Sequence, residues 1–172
     1  MGREGEGEEA TGQRNRILRG AAVKYLFYYP DKCTGCKQCA MACSLNKFGE
    51  CNPKKSAISI VRDEFERYEY AIVCMQCEDA PCIEVCHQGA YYLEDNIIKR
   101  NDDQCIHCRL CAAVCPHSAI TTIGKEIVKC DLCDGDPECV KYCSTEALVY
   151  QEETKEQSER RRQLAKKILS TS

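Results

Sequence analysis

Short runs in which apolar and polar residues alternate dominate the middle of the chain, and they predict strands. The run AAVKYLFYY at 21–29 predicts a first strand, which Pro30 ends. The stretch SAISIVRDEFERYEYAIV at 56–73 predicts a pair of strands or a β-hairpin. Two further hairpins are predicted by YYLEDNIIKRN, with Asp95 and Asn96 at the turn, and by AITTIGKEIV, with Gly124 and Lys125 there. A short closing strand is predicted from Ala147 to Tyr150.

The two ends of the chain lack this alternation. Residues 1–20 are rich in Gly and Glu, which predicts a flexible N-terminal arm. Residues 151–172 are charged and favour a helix whose only apolar stripe is Leu164, Ile168 and Leu169. We therefore expect one folded domain over 21–150, followed by a C-terminal surface helix or docking tail.

The apolar content of the chain is low for a conventional core. Large aliphatic residues and Phe occupy 32 of 172 positions, whereas Cys occupies 17. A cysteine fraction of this size indicates a disulfide framework, structural zinc, or iron-sulfur ligation. Metal bound by thiolates would supply folding energy that the core does not provide.

The N-terminal sequence gives an expectation for the compartment. Residues 1–20 have no apolar segment that resembles a signal peptide, and no run approaches the roughly 18 apolar residues of a membrane span. We expect a cytoplasmic protein without direct membrane insertion. Because that compartment is reducing, a disulfide framework is the least suitable of the three possibilities.

The cysteines fall into four groups of four, with very regular spacing. The first and third groups have the pattern C-x2-C-x2-C-x3-C of bacterial ferredoxins: Cys33, Cys36, Cys39, Cys43 and Cys105, Cys108, Cys111, Cys115. Three close cysteines can surround three corners of a cubane, while the fourth, one helical turn later, completes a neighbouring cluster. The second and fourth groups widen only the gap before the third cysteine: Cys74, Cys77, Cys82, Cys86 and Cys130, Cys133, Cys139, Cys143.

Structural zinc is the main alternative, because two C-x2-C knuckles form an ordinary zinc site. Zinc does not require the third and fourth cysteines at these fixed distances, so the spacing favours four complete [4Fe-4S] clusters. Cys51 lies outside the pattern and is predicted to be an ordinary thiol. His87, His107 and His117 adjoin the groups and are predicted to be loop or surface residues that can at most tune a potential.

The net charge and the lack of catalytic motifs argue against two classes of function, nucleic-acid binding and catalysis. The formal net charge is -3, and four oxidised clusters with sixteen thiolates would add about -8, which argues against a nucleic-acid partner. The chain has no nucleophile–base pair, phosphate loop or dinucleotide fingerprint. It is therefore expected to have no catalytic residues of its own and to act as an electron-transfer component.

At this point the chain resembles a known family, the four-cluster iron-sulfur subunits of molybdenum and tungsten oxidoreductases. These include the subunits of dimethyl sulfoxide reductase, formate dehydrogenase and hydrogenase complexes. The resemblance covers about residues 21–150 and lies in the segments DKCTGCKQCAMAC, CMQCEDAPCIEVC, DQCIHCRLCAAVCP and KCDLCDGDPECVKYC.

The resemblance implies an α+β fold of two bicluster ferredoxin-like modules, one inserted in the other, with short β-hairpins and little hydrophobic core. Module A comprises 21–56 and 130–150, and module B comprises 57–129. The implied ligand sets are quartet 1 (Cys33, Cys36, Cys39, Cys143), quartet 2 (Cys130, Cys133, Cys139, Cys43), quartet 3 (Cys74, Cys77, Cys82, Cys115) and quartet 4 (Cys105, Cys108, Cys111, Cys86).

The resemblance also implies a partner. The segment CSLNKFGECNPKKSAISIV is most similar to small subunits of tungsten enzymes of the aldehyde oxidoreductase class, including benzoyl-CoA reductase. The implied function is a relay of single electrons between a larger catalytic subunit and an external redox protein, in a hetero-oligomer. The alternatives are a free-standing polyferredoxin, or the iron-sulfur subunit of a hydrogenase, carbon monoxide dehydrogenase or formate dehydrogenase.

Overall fold

In the computed structural model of the protein, the described residues are 23–63 and 68–154, together with 157 and 159. The predicted arm at 1–20 and most of the predicted tail at 151–172 lie outside them. Within the described residues, no helix combines the length and the apolar character needed to cross a bilayer.

The strands of the described ranges form four antiparallel pairs. Strand β1 pairs with β8, β2 with β3, β4 with β5, and β6 with β7. Their bounds are β1 Lys24–Tyr28, β2 Ser59–Asp63, β3 Tyr68–Ile72, β4 Tyr91–Glu94, β5 Ile97–Arg100, β6 Ile120–Ile123, β7 Glu126–Lys129 and β8 Leu148–Glu152. The three predicted hairpins are confirmed, as are the first and closing strands.

The turn between β4 and β5 has the backbone conformation that its residues favour. Asp95 and Asn96, between β4 and β5, have φ values of 49° and 61°. Positive φ at both central residues is the requirement of a type I′ turn, which matches the right-handed twist of the flanking strands. Asp and Asn tolerate this left-handed conformation better than most residues.

The pairing of β1 with β8 joins the two ends of the folded region. Their register runs from Lys24 opposite Glu152 to Tyr28 opposite Leu148. One further backbone hydrogen bond, from Tyr29 N to Ala147 O at 2.8 Å, extends the ladder. The first and fourth cysteine groups, which follow β1 and precede β8, are thereby brought to the same part of the molecule.

In the described residues, the four α-helices pack in two pairs, and these pairs join the same parts of the chain as the β1–β8 pairing or lie between them. They are α1 Gln38–Phe48, α2 Pro81–Glu84, α3 Leu110–Ala113 and α4 Glu138–Lys141. Helix α1 packs against α4, and α2 packs against α3. Helices of four residues do not form alone in water, so tertiary contacts or ligands must stabilise α2, α3 and α4.

Cysteines are a large part of the buried interior. One cluster of buried residues combines Leu26, Ile58 and Leu148 with Cys39, Cys43, Cys74, Cys130 and Cys139. A smaller cluster combines Ile98, Ile120 and Ile127 with Cys82 and Cys111. The fold is thus α+β with short antiparallel hairpins, as predicted, and its core is built around sulfur atoms.

Candidate iron-sulfur cluster sites

Each cysteine group follows the same course, a loop that runs into a helix. In all four groups the third cysteine is the second residue of the helix: Cys39 in α1, Cys82 in α2, Cys111 in α3 and Cys139 in α4. These four side chains are only 5–8% exposed. The equivalent positions show that the widened loops of the second and fourth groups still deliver the third sulfur to the interior.

The loops before the helices contain residues with left-handed backbone conformation. Lys37 and Arg109, each immediately before a helix, have φ values of 61° and 66°. Gln76 in the second group and Cys133 in the fourth also have positive φ. This conformation costs a non-glycine residue roughly 1–2 kcal/mol. Alternation of right- and left-handed residues directs successive N–H groups into a concavity that favours an anionic group such as an iron-sulfur cluster.

Two of the predicted quartets each line one cavity. Quartet 1 lines a cavity together with Ile60, Tyr142 and Leu148. Quartet 3 lines a second cavity together with Ile98, Ile120 and Lys129. In both cases three sulfur atoms come from one group and the fourth from a different group far along the chain.

For quartets 2 and 4, the evidence that the thiols lie close together comes from their effects on one another's pKa and from packing. The thiols of quartet 2 lie close enough that Cys130, Cys43 and Cys133 all raise the pKa of Cys139, after burial, which is the larger cause. In quartet 4, Cys105 and Cys108 raise the pKa of Cys111, again after burial. Cys86 packs against the same buried cluster as Cys111.

Burial keeps several of these sulfur atoms protonated in the metal-free chain. Burial raises the pKa of the Cys39 thiol to about 11, although a hydrogen bond from the backbone of Ala40 lowers it and Cys143 raises it further. Burial also raises the pKa of Cys82 to about 12, with Lys129 acting in the opposite direction. Because the thiolate is the form that binds metal, metal binding must displace these protons.

Among the described residues, two sulfur atoms accept hydrogen bonds from distant elements, and a third accepts one from a backbone N–H in its own loop. Asn46 Nδ2 donates to Cys133 Sγ at 3.3 Å. The Tyr91 hydroxyl donates to Cys111 Sγ at 3.4 Å, and Ala119 N donates to Cys115 Sγ at 3.4 Å. Hydrogen bonds to cluster sulfur are one of the means by which a protein adjusts the reduction potential.

An ion pair fixes the fourth group against α1. Lys47 Nζ lies 2.6 Å from Asp131 Oδ2, and Asp131 Oδ1 accepts a hydrogen bond from Cys133 N at 3.1 Å. Burial is the largest single influence and opposes the charge of both partners, but their hydrogen bond and their charge attraction together outweigh it, so the pKa of Lys47 is raised and that of Asp131 is lowered. The sequence did not indicate Asn46, Lys47, Tyr91 or Asp131, because nothing in the spacing of the cysteines shows which distant residues reach them.

The remaining cysteine and two of the histidines lie in loops or at the surface. Cys51 is exposed in the loop after α1. His117 lines the cavity of quartet 3, and His107 has a positive φ of 58° in the third loop. Each predicted quartet already consists of four cysteines, so neither histidine is needed as a ligand.

The donor set fits an iron-sulfur cluster better than a single ion. Within the described ranges, no three Cys, His, Asp or Glu side chains converge closely enough to hold one metal ion. A tetrahedral zinc site, with Zn–S bonds of about 2.3 Å, would need sulfur atoms about 3.8 Å apart. Four thiols that line a common apolar cavity suit a group in which each sulfur binds a different iron.

Comparison with known proteins supports this chemistry. The 4Fe-4S binding domain matches residues 26–44 and 98–121, which contain the two regularly spaced groups. The polyferredoxin-like subunit of an aliphatic sulfonate oxidoreductase from Pyrococcus furiosus is 33% identical over 123 residues, 69% of this chain and 70% of that protein. The electron transport protein YsaA of Escherichia coli, itself described as putative, is 34% identical over 154 residues, 81% and 97% of the two chains.

Two further similarities are with chains of oxidoreductases. One polypeptide of the polysulfide reductase of Wolinella succinogenes is 33% identical over 150 residues, 75% of this chain and 76% of that one. A chain of the benzoyl coenzyme A reductase active-site complex BamBC, as isolated, is 26% identical with a TM-score of 0.43, over 83% and 87% of the two chains. The assignment rests on the sequence relatives, which confirm the predicted [4Fe-4S] chemistry. The chain therefore belongs to the family of polyferredoxin-like iron-sulfur electron-transfer proteins, among which are subunits of oxidoreductase complexes.

Proposed function

We propose that sixteen of the cysteines ligate four [4Fe-4S] clusters, one for each of quartets 1 to 4. The observation that carries the proposal is that quartet 1 and quartet 3 each line a common cavity although their members come from two distant groups. Once bound, each cluster supplies one-electron redox chemistry. The chain itself supplies the thiolates, excludes water and places hydrogen-bond donors and charges beside the sulfur atoms.

The proposed modules are supported by the packing of the described elements. In module A, β1 pairs with β8 and α1 packs on α4, which brings 21–56 to 130–150. In module B, α2 packs on α3, and the smaller buried cluster contains only residues between Ala80 and Ile127. These contacts favour one module inserted in the other, with the larger buried cluster between them.

The neighbours of individual thiols favour a linear order of the clusters. Cys39 of quartet 1 contributes to the raised pKa of Cys139 in quartet 2, after burial and nearer thiols. Cys74 of quartet 3 also contributes to the raised pKa of Cys130 in quartet 2, where it is the largest influence after burial. Tyr91 is hydrogen-bonded to Cys111 of quartet 4. It also lies close enough to Cys82 of quartet 3 for that thiol to raise the pKa of Tyr91, after the larger effects of burial and Cys111. We infer the order quartet 1, quartet 2, quartet 3, quartet 4.

Exposure favours electron entry and exit at the two ends of this order. Cys36 in quartet 1 and Cys108 in quartet 4 are exposed. Large apolar side chains are exposed beside each of them, Tyr142 near quartet 1 and Ile106 and Leu110 around Cys108. An exposed cluster edge with an apolar rim suits close contact with a redox partner.

The partner that we propose is a larger catalytic oxidoreductase subunit, with an external redox protein at the other end. Relatives of this chain include a subunit of an aliphatic sulfonate oxidoreductase and a polypeptide of a polysulfide reductase. The segment at 43–61 favours a tungsten or molybdenum enzyme such as an aldehyde oxidoreductase or benzoyl-CoA reductase. A free polyferredoxin is the second candidate, because a relative that is 37% identical over 130 residues is described as a ferredoxin.

Anaerobic purification of the tagged chain from its native host tests these proposals. We expect a brown protein with roughly sixteen irons per chain that co-elutes with a larger subunit containing tungsten or molybdenum. Elution alone at the mass of a single chain would favour the free polyferredoxin. A zinc-loaded, colourless preparation would contradict the cluster assignment itself.

A further inference from the structure

Two buried side chains form a closed polar network where the proposed modules meet. Gln76, 1% exposed, accepts a hydrogen bond from Ile98 N at 3.0 Å and donates one to Cys130 O at 3.0 Å. Lys129, 7% exposed, donates to Ile98 O and to Cys130 O, both at 2.8 Å. The two side chains therefore link the same pair of backbone segments, the β5 strand and the start of the fourth cysteine group.

Lys129 has no carboxylate partner in the described part of the chain. The ion pairs there involve other cations, and Asp131, which is close in sequence, pairs with Lys47 at 2.6 Å. The two acceptors of Lys129 are neutral backbone carbonyls. A buried ammonium without an anion is costly, so a source of negative charge must lie close to it in the working protein.

The position of Lys129 indicates where the negative charge near its ammonium group comes from. Its side chain lines the cavity of quartet 3 together with Cys74 and Cys82. It also directly precedes Cys130 of quartet 2, and its charge opposes the burial that raises the pKa of both Cys82 and Cys130. Lys129 thus lies between two proposed clusters, one in each module.

We propose that Lys129 is the counter-ion shared by the clusters of quartets 2 and 3, and that it holds their reduction potentials above those of quartets 1 and 4. The inference rests on the proposed four-cluster function. Reduction adds negative charge, and a fixed positive charge nearby in a medium of low dielectric stabilises the reduced form. The junction between the modules then becomes the place where an electron resides, with the outer clusters as entry and exit. Lys129 acts here as a positioning residue that tunes the clusters, because its Nζ donates to carbonyls and not to sulfur.

Redox titration of the purified chain, followed by electron paramagnetic resonance, measures this effect. The variants Lys129→Met and Lys129→Gln remove the charge, and the second keeps hydrogen-bond donors. For two of the four clusters we expect at least a tenfold lower ratio of reduced to oxidised form at a fixed potential, equivalent to 59 mV for one electron. The other two clusters should keep their potentials. Cys82→Ser and Cys139→Ser, each altering one ligand, assign the two shifted signals to quartets 3 and 2.

Two matched variants separate charge from structure. Lys129→Arg keeps the charge and should leave all four potentials near those of the wild type, whereas Gln76→Met breaks the same network without a change of charge and should do likewise. If the neutral Lys129 variants lose iron from quartets 2 and 3 while Lys129→Arg keeps it, the requirement for the charge is also supported.

The inference is overturned if the neutral variants shift no potential, if they shift all four equally, or if Gln76→Met shifts the same two. It is also overturned if Lys129→Arg loses iron together with the neutral variants. A wild-type chain without four clusters would instead contradict the proposed function, so the two failures are distinguishable.

Discussion

The sulfur atoms of this protein differ in their surroundings at the scale of single residues. Cys111 accepts a hydrogen bond from the Tyr91 hydroxyl, and Cys133 accepts one from Asn46. Cys51, in contrast, is exposed and outside the quartets. These differences lead to two predictions about individual side chains.

Replacement of Tyr91 by Phe should lower the potential of the quartet 4 cluster without loss of iron. The hydroxyl donates to Cys111 Sγ at 3.4 Å, and this bond favours the more negative, reduced cluster. The expected change is on the order of 1 kcal/mol per electron, the net worth of one hydrogen bond, measured by redox titration. Tyr92→Phe, at the next position of β4 and on its opposite face, is the control and should cause no change.

Replacement of Cys111 by Ala should remove one cluster, about four of roughly sixteen irons, and interrupt electron transfer. Cys111 is buried as the second residue of α3, where the proposed cluster needs its third sulfur. Cys51→Ala should leave the iron content unchanged, because Cys51 is exposed and belongs to no group. Iron analysis of both variants is the measurement, and equal iron loss in the two would contradict the ligand assignment.

At the scale of elements, alternation predicts the strands better than it predicts the helices. The hairpin of β4 and β5 follows from the apolar pattern and from the turn residues Asp95 and Asn96. The length of α1 was not predicted, because its residues after Cys43 have no strong amphipathic pattern. That helix ends at Phe48, and the next residue, Gly49, has a φ of 69° and forms the left-handed C-cap that glycine favours.

Leu148, the first residue of β8, is buried where β8 pairs with β1, and its truncation tests how much this pairing stabilises the protein. Leu148 is 2% exposed, and its truncation in Leu148→Ala should destabilise the protein by about 2–5 kcal/mol. The melting temperature of the loaded chain, followed by circular dichroism, should fall clearly. Leu45→Ala, at a site that is 47% exposed, removes the same atoms and should have a much smaller effect. A similar fall for both variants would argue against β1–β8 closure as a main source of stability.

At the scale of the whole molecule, thiols take the place of much of the conventional core. The larger buried cluster includes Cys39, Cys74 and Cys130, and the helices α2, α3 and α4 are only four residues long. Without metal, these thiols are neutral groups that no longer link distant parts of the chain. The free energy of cluster binding is therefore expected to supply most of the free energy of folding.

Removal of iron with a chelator under reducing conditions should unfold the described domain. We expect the near-ultraviolet dichroism to be lost together with the brown colour, and both to return when iron and sulfide are added back. A chelated chain that keeps its dichroism and its melting temperature would show that the clusters do not hold the fold.

The local features of this protein follow from its sequence, because they depend on neighbours along the chain. The cysteine spacing indicated the cluster chemistry, and alternation with turn residues indicated the hairpins. The spacing of the cysteines does not say which distant groups meet; that depends on the fold, since β1–β8 pairing and helix packing bring together residues more than 100 positions apart, such as Cys33 and Cys143. The tertiary structure also decided which side chains reach the sulfur atoms and where Lys129 is buried, because burial and hydrogen bonding depend on contacts that no spacing encodes.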